Sequence, residues 1–314
     1  MDPTPLLSIC IPCYNRPQWF QRALISIREY SGENVEVVIT DDSDHDQNRF
    51  ITEETLRGWS GLWRYEHHPQ RLGMVENWNR SLQWANGEFT IILHDDDYFV
   101  SNGLDRLVSQ LHQSCAYPVM LFGVRVVDAN ERLIKYQRFQ HNQWLDPRQA
   151  LRHLLTNSSF VRFPGIVIKR QLFAELGYFD SAWKEPCDLE MWMRLFSHYG
   201  VFCCRSVTVA YRVHSQALTM GMFQQETVKT LIRLFKDAKR LNTLTPTEIN
   251  SYQRSFLHQY VLAGAWRQLR RGRWHEFQQV IGLFVLPELK DLTCPLKWLM
   301  VKGIFFLLTK VLPA

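Results

Sequence analysis

Residues 94–97 read His-Asp-Asp-Asp and follow directly on the apolar run Thr90–Leu93, within the segment FTIILHDDDY (Phe89–Tyr98). A short β-branched run that stops at a polar break reads as a buried strand of a mostly parallel sheet. Ligands of open α/β sheets gather beyond the carboxyl ends of such strands. Three consecutive carboxylates there repel one another, and a hard divalent cation relieves the repulsion. Mg²⁺ or Mn²⁺ held by one or two carboxylates usually completes its shell with substrate phosphates. The competing reading is a solvated acidic loop, and the strand in front of the aspartates argues against it.

The elements that would position this group alternate strand and helix through the first hundred residues. Leu7–Ile11 is a short apolar run ending at Pro12, and Phe20, Ala23, Leu24 and Ile27 follow at helical spacing, with Pro17 suited to a first turn. Val35–Thr40 predicts a second strand ending in Asp41-Asp42-Ser43, a helix is expected over about Thr52–Gly58, and Leu62–His67 reads as a third strand. Met74, Trp78, Leu82 and Ala85 predict another helix, with Gly87 placed to cap its end. Leu104, Leu107, Val108 and Leu111 mark a further helix and Val119–Asp128 a strong strand. Beyond it the pattern is mixed to about Thr219, including Ile166–Lys169 and Leu189–Phe196, and after Met220 it is helical. Repeated βαβ alternation implies an α/β fold, with a mostly parallel sheet flanked by helices and right-handed crossovers.

The 314 residues suffice for one large domain or two small ones, with 46% hydrophobic and 21% charged content. The net charge of +5 is confined to the tail: from Ala265 onward eight basic residues face three acidic ones, and the rest of the chain balances. With no basic n-region or apolar h-region at the N-terminus, a cytoplasmic location is expected. Seven cysteines fit reduced thiols; Cys10 and Cys13 form a lone CxxC astride Pro12, better read as small core residues than as zinc ligands or a redox pair.

The motifs occur in a telling order: Pro12-Cys13-Tyr14-Asn15, Asp41-Asp42-Ser43, Arg71-Leu72-Gly73, Asn77-Trp78-Asn79-Arg80, Gly87-Glu88-Phe89, and His94-Asp95-Asp96-Asp97. This ordered set resembles the family-2 inverting glycosyltransferases of the GT-A type over about Leu7–Thr219. The resemblance implies a GT-A, Rossmann-like domain over residues 1–219, with a nucleotide-sugar-binding half (1–103) and an acceptor-binding half (104–219), followed by a helical region over 220–314. It implies that Pro12, Tyr14, Asp42, Arg71 and Asp95 hold the nucleotide sugar. It also implies that Asp96, Asp97 and His214 hold Mn²⁺ or Mg²⁺, His214 coming from the later element Tyr211-Arg212-Val213-His214. His94 stands where the family more often has the leading Asp of its DxD element, which makes this an HDDD variant.

Glu185-Pro186-Cys187-Asp188-Leu189-Glu190-Met191-Trp192-Met193-Arg194 is similar to the family's E-D-x-x-x-W-x-x-R element, in which the Asp is the catalytic base. Asp188 is the base by that match, Trp192 and Arg194 keep their offsets, and Cys187 replaces the Glu. The implied reaction is a single inverting displacement from a nucleoside-diphosphate sugar, UDP-sugars favoured, to a hydroxyl of a glycan acceptor. Other readings are a catalytically silent nucleotide-sugar-binding module and a sugar nucleotidyltransferase. The latter is disfavoured because no Gly-rich phosphate loop follows the first strand.

The tail carries two apolar stretches, Phe277–Leu289 and Leu296–Leu312, the second 17 residues long with three lysines. A spanning helix needs about 20 predominantly apolar residues, so an interfacial helix is expected, with Trp298, Phe305, Phe306 and Leu307 in the acyl boundary and the lysines reaching anionic inner-leaflet headgroups. A helix packed on the protein is the alternative. Membrane contact would suit a lipid-linked glycan acceptor. Nucleic-acid binding is not expected, because the basic residues accompany apolar runs rather than an exposed aromatic platform.

Overall fold

The structure, a computed structural model, describes residues 4–157, 159–214, 223–290 and 292–311. The expected boundary at 219/220 lies outside the described residues. Ten strands form one sheet: β1 (Leu7–Cys13), β2 (Val35–Asp41), β3 (Leu62–His67), β4 (Phe89–Ile92), β5 (Tyr98–Phe99), β6 (Val119–Asp128), β7 (Leu133–Gln137), β8 (Gln143–Leu145), β9 (Ile166–Lys169) and β10 (Val201–Val213). The helices are α1 (Pro17–Arg28), α2 (Gln47–Thr55), α3 (Met74–Trp84), α4 (Gly103–Gln113), α5 (Pro147–Thr156), α6 (Gln171–Leu176), α7 (Cys187–Tyr199), α8 (Gln225–Arg240), α9 (Pro246–Leu269), α10 (Trp274–Gly282), α11 (Pro287–Lys290) and α12 (Leu296–Val311).

The sheet runs β3-β2-β1-β4-β9-β6-β10-β5, with β7 on β6 and β8 on β10. The first four strands are parallel, β9 is antiparallel to both neighbours, and β6 and β10 are again parallel. Two antiparallel steps through β9 restore the original direction, so β1, β2, β4 and β10 all end at one edge. That edge therefore carries Tyr14–Arg16, Asp42–Ser43, His94–Asp97 and His214. The expected α/β architecture, a mostly parallel sheet flanked by helices, is what forms. Every residue of β1, β2 and β4 is buried, which is why these strands read as continuous apolar runs. Both acids among them are satisfied: Glu36 accepts hydrogen bonds from Ser8 Oγ (2.5 Å), Gly87 N (3.1 Å) and Arg64 (3.0 Å), and Asp41 accepts from Ser43 N (2.9 Å) and Tyr65 Oη (2.6 Å).

By packing, the chain divides into two units. The first comprises Met1–Pro147, Val161–Ser181 and Arg194–His214 and contains the sheet; the second comprises Arg148–Phe160, Ala182–Met193 and Ser215–Ala314 and is helical. In the first, α1 buries Phe20, Ala23, Leu24 and Ile27 as expected, with Pro17 at its first turn. Two expectations need correction. The helix expected at Thr52–Gly58 is α2, which runs from Gln47 to Thr55; its buried face carries Asn48, Thr52 and Thr55 rather than apolar residues, so hydrophobic periodicity could not place its ends. Gly87 is not a helix cap: α3 ends at Ala85 in an extended conformation, and Gly87 instead passes so close to β1 that a Cβ would lie 2.6 Å from Ser8 N.

In the helical unit, α9 begins with a reciprocal capping box: Thr245 N donates to Glu248 Oε2 (2.9 Å), and Glu248 N donates to Thr245 Oγ1 (3.3 Å). Helix α12 packs through Phe305, which is 5% exposed and lies against the rings of Trp266 and Phe277. Phe305 is therefore core rather than a membrane contact. The exposed face of α12 is a helical stripe of Leu296, Leu299, Met300, Ile304 and Leu307. Among the described residues no helix is long and apolar enough to cross a membrane.

Candidate active site

The site grows from the loop between β4 and β5. Leu93 continues the ladder by donating from its N–H to Cys10 O (2.9 Å), and the chain then turns, with Asp97 N bonded to His94 O (3.0 Å). His94, Asp96 and Asp97 each present one ligand atom, and these atoms lie within 4.8 Å of one another. Two buried atoms here, His94 Nε2 and Asp97 Oδ2, have no hydrogen-bond partner among the described residues. Buried polar atoms are seldom left unpaired. Two carboxylates and an imidazole sharing one small space, with orphaned lone pairs, fit a divalent cation, and the mixed nitrogen and oxygen set suits Mn²⁺ at least as well as Mg²⁺.

The ring of His94 rests on Trp78 (5.2 Å between centroids) and Phe163 (4.5 Å), and Phe179 lies behind both aromatics. Burial in this apolar wall pushes its pKa down to about 4, with Asp96 opposing and Arg16 assisting, so the imidazole is neutral and able to donate a lone pair. Around the carboxylates the shifts diverge. Burial raises Asp95 to about 7 against the pull of Arg16, and raises Asp97 well above the ordinary carboxylate value, with Asp96 adding repulsion. Burial also opposes ionisation of Asp96, but the His214 hydrogen bond and the positive charge of Arg16 hold it below its ordinary value. Asp96 is thus the carboxylate kept most firmly charged.

His214 is buried and reaches the cluster through Asp96, with Nε2 2.8 Å from Asp96 Oδ2. It lies outside the three-residue set and orients one of its members. Arg212 is the rear anchor. Its N–H donates to Asp97 Oδ1 (2.8 Å) and its Nε–H to Asp96 O (2.8 Å), while its guanidinium pairs with Glu131 (3.0 Å).

The residues expected to hold the nucleotide sugar join the same network. Arg71 lies 3.8 Å over the Tyr14 ring and donates to Tyr14 Oη (3.1 Å); Tyr14 N donates to Asp95 Oδ2 (2.9 Å); and Arg16 Nη1 donates to Asp95 Oδ1 (2.8 Å) and Asp96 Oδ2 (3.1 Å). Asp42, buried past the end of β2, accepts from Leu72 N (3.1 Å) and Gly73 N (2.8 Å), which ties the Arg71 loop to the sheet. Gly73 takes φ +88°, a left-handed value that only glycine adopts readily, where the loop enters α3. Pro12 is buried in β1, opposite Thr40.

Asp188 belongs to the second unit, in the first turn of α7. Its Oδ1 accepts from Leu189 N (2.6 Å), and burial raises its pKa to about 6, a value fit for a base near neutrality. Cys187 beside it is fully buried and its thiol is pushed up by burial, so it is packing rather than a nucleophile. Arg194 donates to Leu176 O, Gly177 O (3.2 Å) and Tyr178 O (2.8 Å), which fixes the chain leaving α6.

Three participants had no assigned role in the sequence: Arg16, Arg212, and His94 as a ligand. Arg212 left a trace, since a charged residue inside an apolar strand requires a partner. The other two depend on contacts across the fold that spacing does not encode.

The family model for Glycosyl transferase family 2 matches residues 8–177. A GalNAc(5)-diNAcBac-PP-undecaprenol beta-1,3-glucosyltransferase of Campylobacter jejuni is 21% identical over 272 residues, 85% of this chain and 84% of that protein. Among solved structures, S. aureus TarS 1–349 in complex with UDP-GlcNAc has a TM-score of 0.64 at 14% identity, covering 88% of this chain and 81% of that one. A mannosyltransferase from Pyrobaculum calidifontis, in complex with GDP-Man and Mn²⁺, has a TM-score of 0.57 at 15% identity, covering 98% and 84%. At these identities the two structures establish a shared fold.

Proposed function

The chain belongs to glycosyl transferase family 2, and on that premise we propose that it is a metal-dependent inverting transferase. In this reading it moves a sugar from a nucleoside-diphosphate sugar, UDP-sugars favoured, to a hydroxyl of a lipid-linked glycan in cell-surface polysaccharide or glycoconjugate synthesis. The observation that carries this is the cluster of His94, Asp96 and Asp97, continuous through Arg16, Asp95 and Tyr14 with Arg71. The acceptor class is suggested by the undecaprenol-linked substrate in the name of the Campylobacter relative.

His94, Asp96 and Asp97 would hold Mn²⁺ or Mg²⁺, with His214 orienting Asp96. A bound divalent cation supplies stabilisation for the charge that develops on the departing diphosphate. The chain's own residues do the rest. The ring of Tyr14, backed by Arg71, offers a flat face to a nucleotide base, and Pro12 would border that base from the end of β1. Asp42 keeps lone pairs beyond its two backbone bonds and can accept from a base edge. Asp95, fixed by Tyr14 N and Arg16, would accept from the ribose. Asp188 takes the proton of the acceptor hydroxyl as that oxygen attacks the anomeric carbon. The bond to the β-phosphate oxygen breaks on the opposite face and its electron pair leaves with the diphosphate. One displacement inverts the configuration without a covalent enzyme intermediate.

Residues 1–219 are assigned to transfer and 220–314 to attachment at the cytoplasmic face of the membrane. The stripe Leu296, Leu299, Met300, Ile304 and Leu307 supports attachment, as do the exposed Arg270, Arg271 and Arg273 at the turn between α9 and α10. Replacing Leu299, Met300 and Ile304 together with glutamine is expected to abolish flotation with vesicles containing anionic lipid while leaving the thermal midpoint near wild type. Undiminished flotation would refute attachment through α12.

The donor site is tested by thermal stabilisation with a panel of nucleoside diphosphates, with Mn²⁺ or with EDTA. One nucleotide at a hundred times its dissociation constant should stabilise the fold by about 2.7 kcal/mol, only with the metal. No metal-dependent shift from any nucleotide would overturn the reading.

A further inference from the structure

We propose that Arg16 is the counter-ion of the unloaded carboxylate cluster and changes partner on loading, leaving Asp96 for the donor's diphosphate, so that metal and donor bind cooperatively through it. The inference rests on the donor and metal reading above. One guanidinium nitrogen, Nη1, serves both Asp95 Oδ1 (2.8 Å) and Asp96 Oδ2 (3.1 Å). The same Asp96 oxygen also meets His214 Nε2 at 2.8 Å. An oxygen engaged by a guanidinium and an imidazole has little lone-pair capacity left for a cation. A metal arriving alone therefore competes with Arg16 for the charge of the Asp96 carboxylate, which weakens a charge-assisted hydrogen bond and leaves a half-buried guanidinium short of negative charge. A metal arriving with a diphosphate brings a new anion for that guanidinium, whose planar set of donors suits phosphate oxygens.

The local structure permits the exchange. Asn15 takes φ +53°, a left-handed conformation that Asn tolerates better than most residues, and so turns the chain sharply between β1 and α1. Arg16 stands on that turn with its side chain 20% exposed. Its bond to Asp95 is a fixed pivot, because the other oxygen of Asp95 is held by Tyr14 N. Release of Asp96 leaves an Nη1 hydrogen for a phosphate oxygen while the bond to Asp95 is kept.

The test is titration of Mn²⁺ into wild type, Arg16→Gln and Arg16→Lys, without and with UDP or the nucleoside diphosphate selected by the thermal panel. Free Mn²⁺ is read by electron paramagnetic resonance. In wild type the nucleotide should tighten Mn²⁺ binding. Arg16→Gln should bind Mn²⁺ alone about tenfold more tightly than wild type, and the nucleotide with Mn²⁺ about tenfold more weakly, the scale of one charge-assisted hydrogen bond in each state. Arg16→Lys keeps the charge but not the planar donor set, and should fall between them; it carries the comparison if the glutamine variant does not fold. Wild-type coupling with both variants indistinguishable from it would overturn this inference alone. A wild type that takes up neither Mn²⁺ nor any nucleotide would overturn the donor reading beneath it.

Discussion

Asp96→Asn is expected to abolish metal-dependent nucleotide binding and to lower sugar transfer by about 10²–10³-fold or more, the scale of losing a main electrostatic stabiliser of the leaving group. The effect concentrates on Asp96 because it is the carboxylate held most firmly ionised, with His214 and Arg16 on one oxygen and the orphaned His94 and Asp97 atoms beside it. Folding should survive. Asp95, Asp96 and Asp97 are consecutive and crowded, so neutralising one relieves repulsion as it removes contacts. The check is calorimetric titration of the nucleotide in Mn²⁺ and in EDTA, beside a thermal melt. A variant that binds nucleotide as wild type does, and only with Mn²⁺, would remove Asp96 from the metal site.

Asp188→Asn is expected to cost about 10²–10⁴-fold in transfer, the usual worth of a positioned general base. The pH dependence follows from the raised pKa. The base must be ionised, so kcat/KM should fall on the acid side with an apparent pKa of about 6, and that limb should vanish in the variant. Stability moves the other way. Because the folded carboxyl binds its proton more tightly than the unfolded one, its favourable contribution is present at low pH and is lost as pH rises through about 6. Above that pH the ionised, desolvated carboxylate is a liability. Asp188→Asn should melt at or above the wild-type temperature at pH 8, by roughly a few degrees, and the gap should narrow toward pH 5. A folded variant with near wild-type transfer would exclude Asp188 as the base.

What could be read from the chain follows from where side chains are buried. β1, β2 and β4 are buried on both faces, so their apolar runs and polar stops located the strand ends almost to the residue, and the motifs at those ends followed. The start of helix α2 was misplaced because it buries Asn48, Thr52 and Thr55, which hydrophobic periodicity scores as solvent-facing. The aspartates announced a cation, and His94 read as a variant of the leading Asp; that it is a ligand depends on Trp78 and Phe163, which hold it neutral beside Asp97. Arg16 meets Asp95 only because the sheet sets β1 beside β4, a contact across 79 residues of sequence. In α12 apolar residues occur on every side, so composition could not say that Phe305 faces inward and Leu299 outward.

The most direct measurement of the central claim is proton NMR of the anomeric signal during acceptor-free turnover. The α-linked donor is the one whose nucleotide the thermal panel selects, and water takes the place of the acceptor hydroxyl. Wild type with Mn²⁺ is expected to release the β-sugar first, before mutarotation, and EDTA or Asp96→Asn is expected to suppress release. First release of the α-sugar, or turnover unaffected by EDTA, would contradict a metal-dependent inverting displacement.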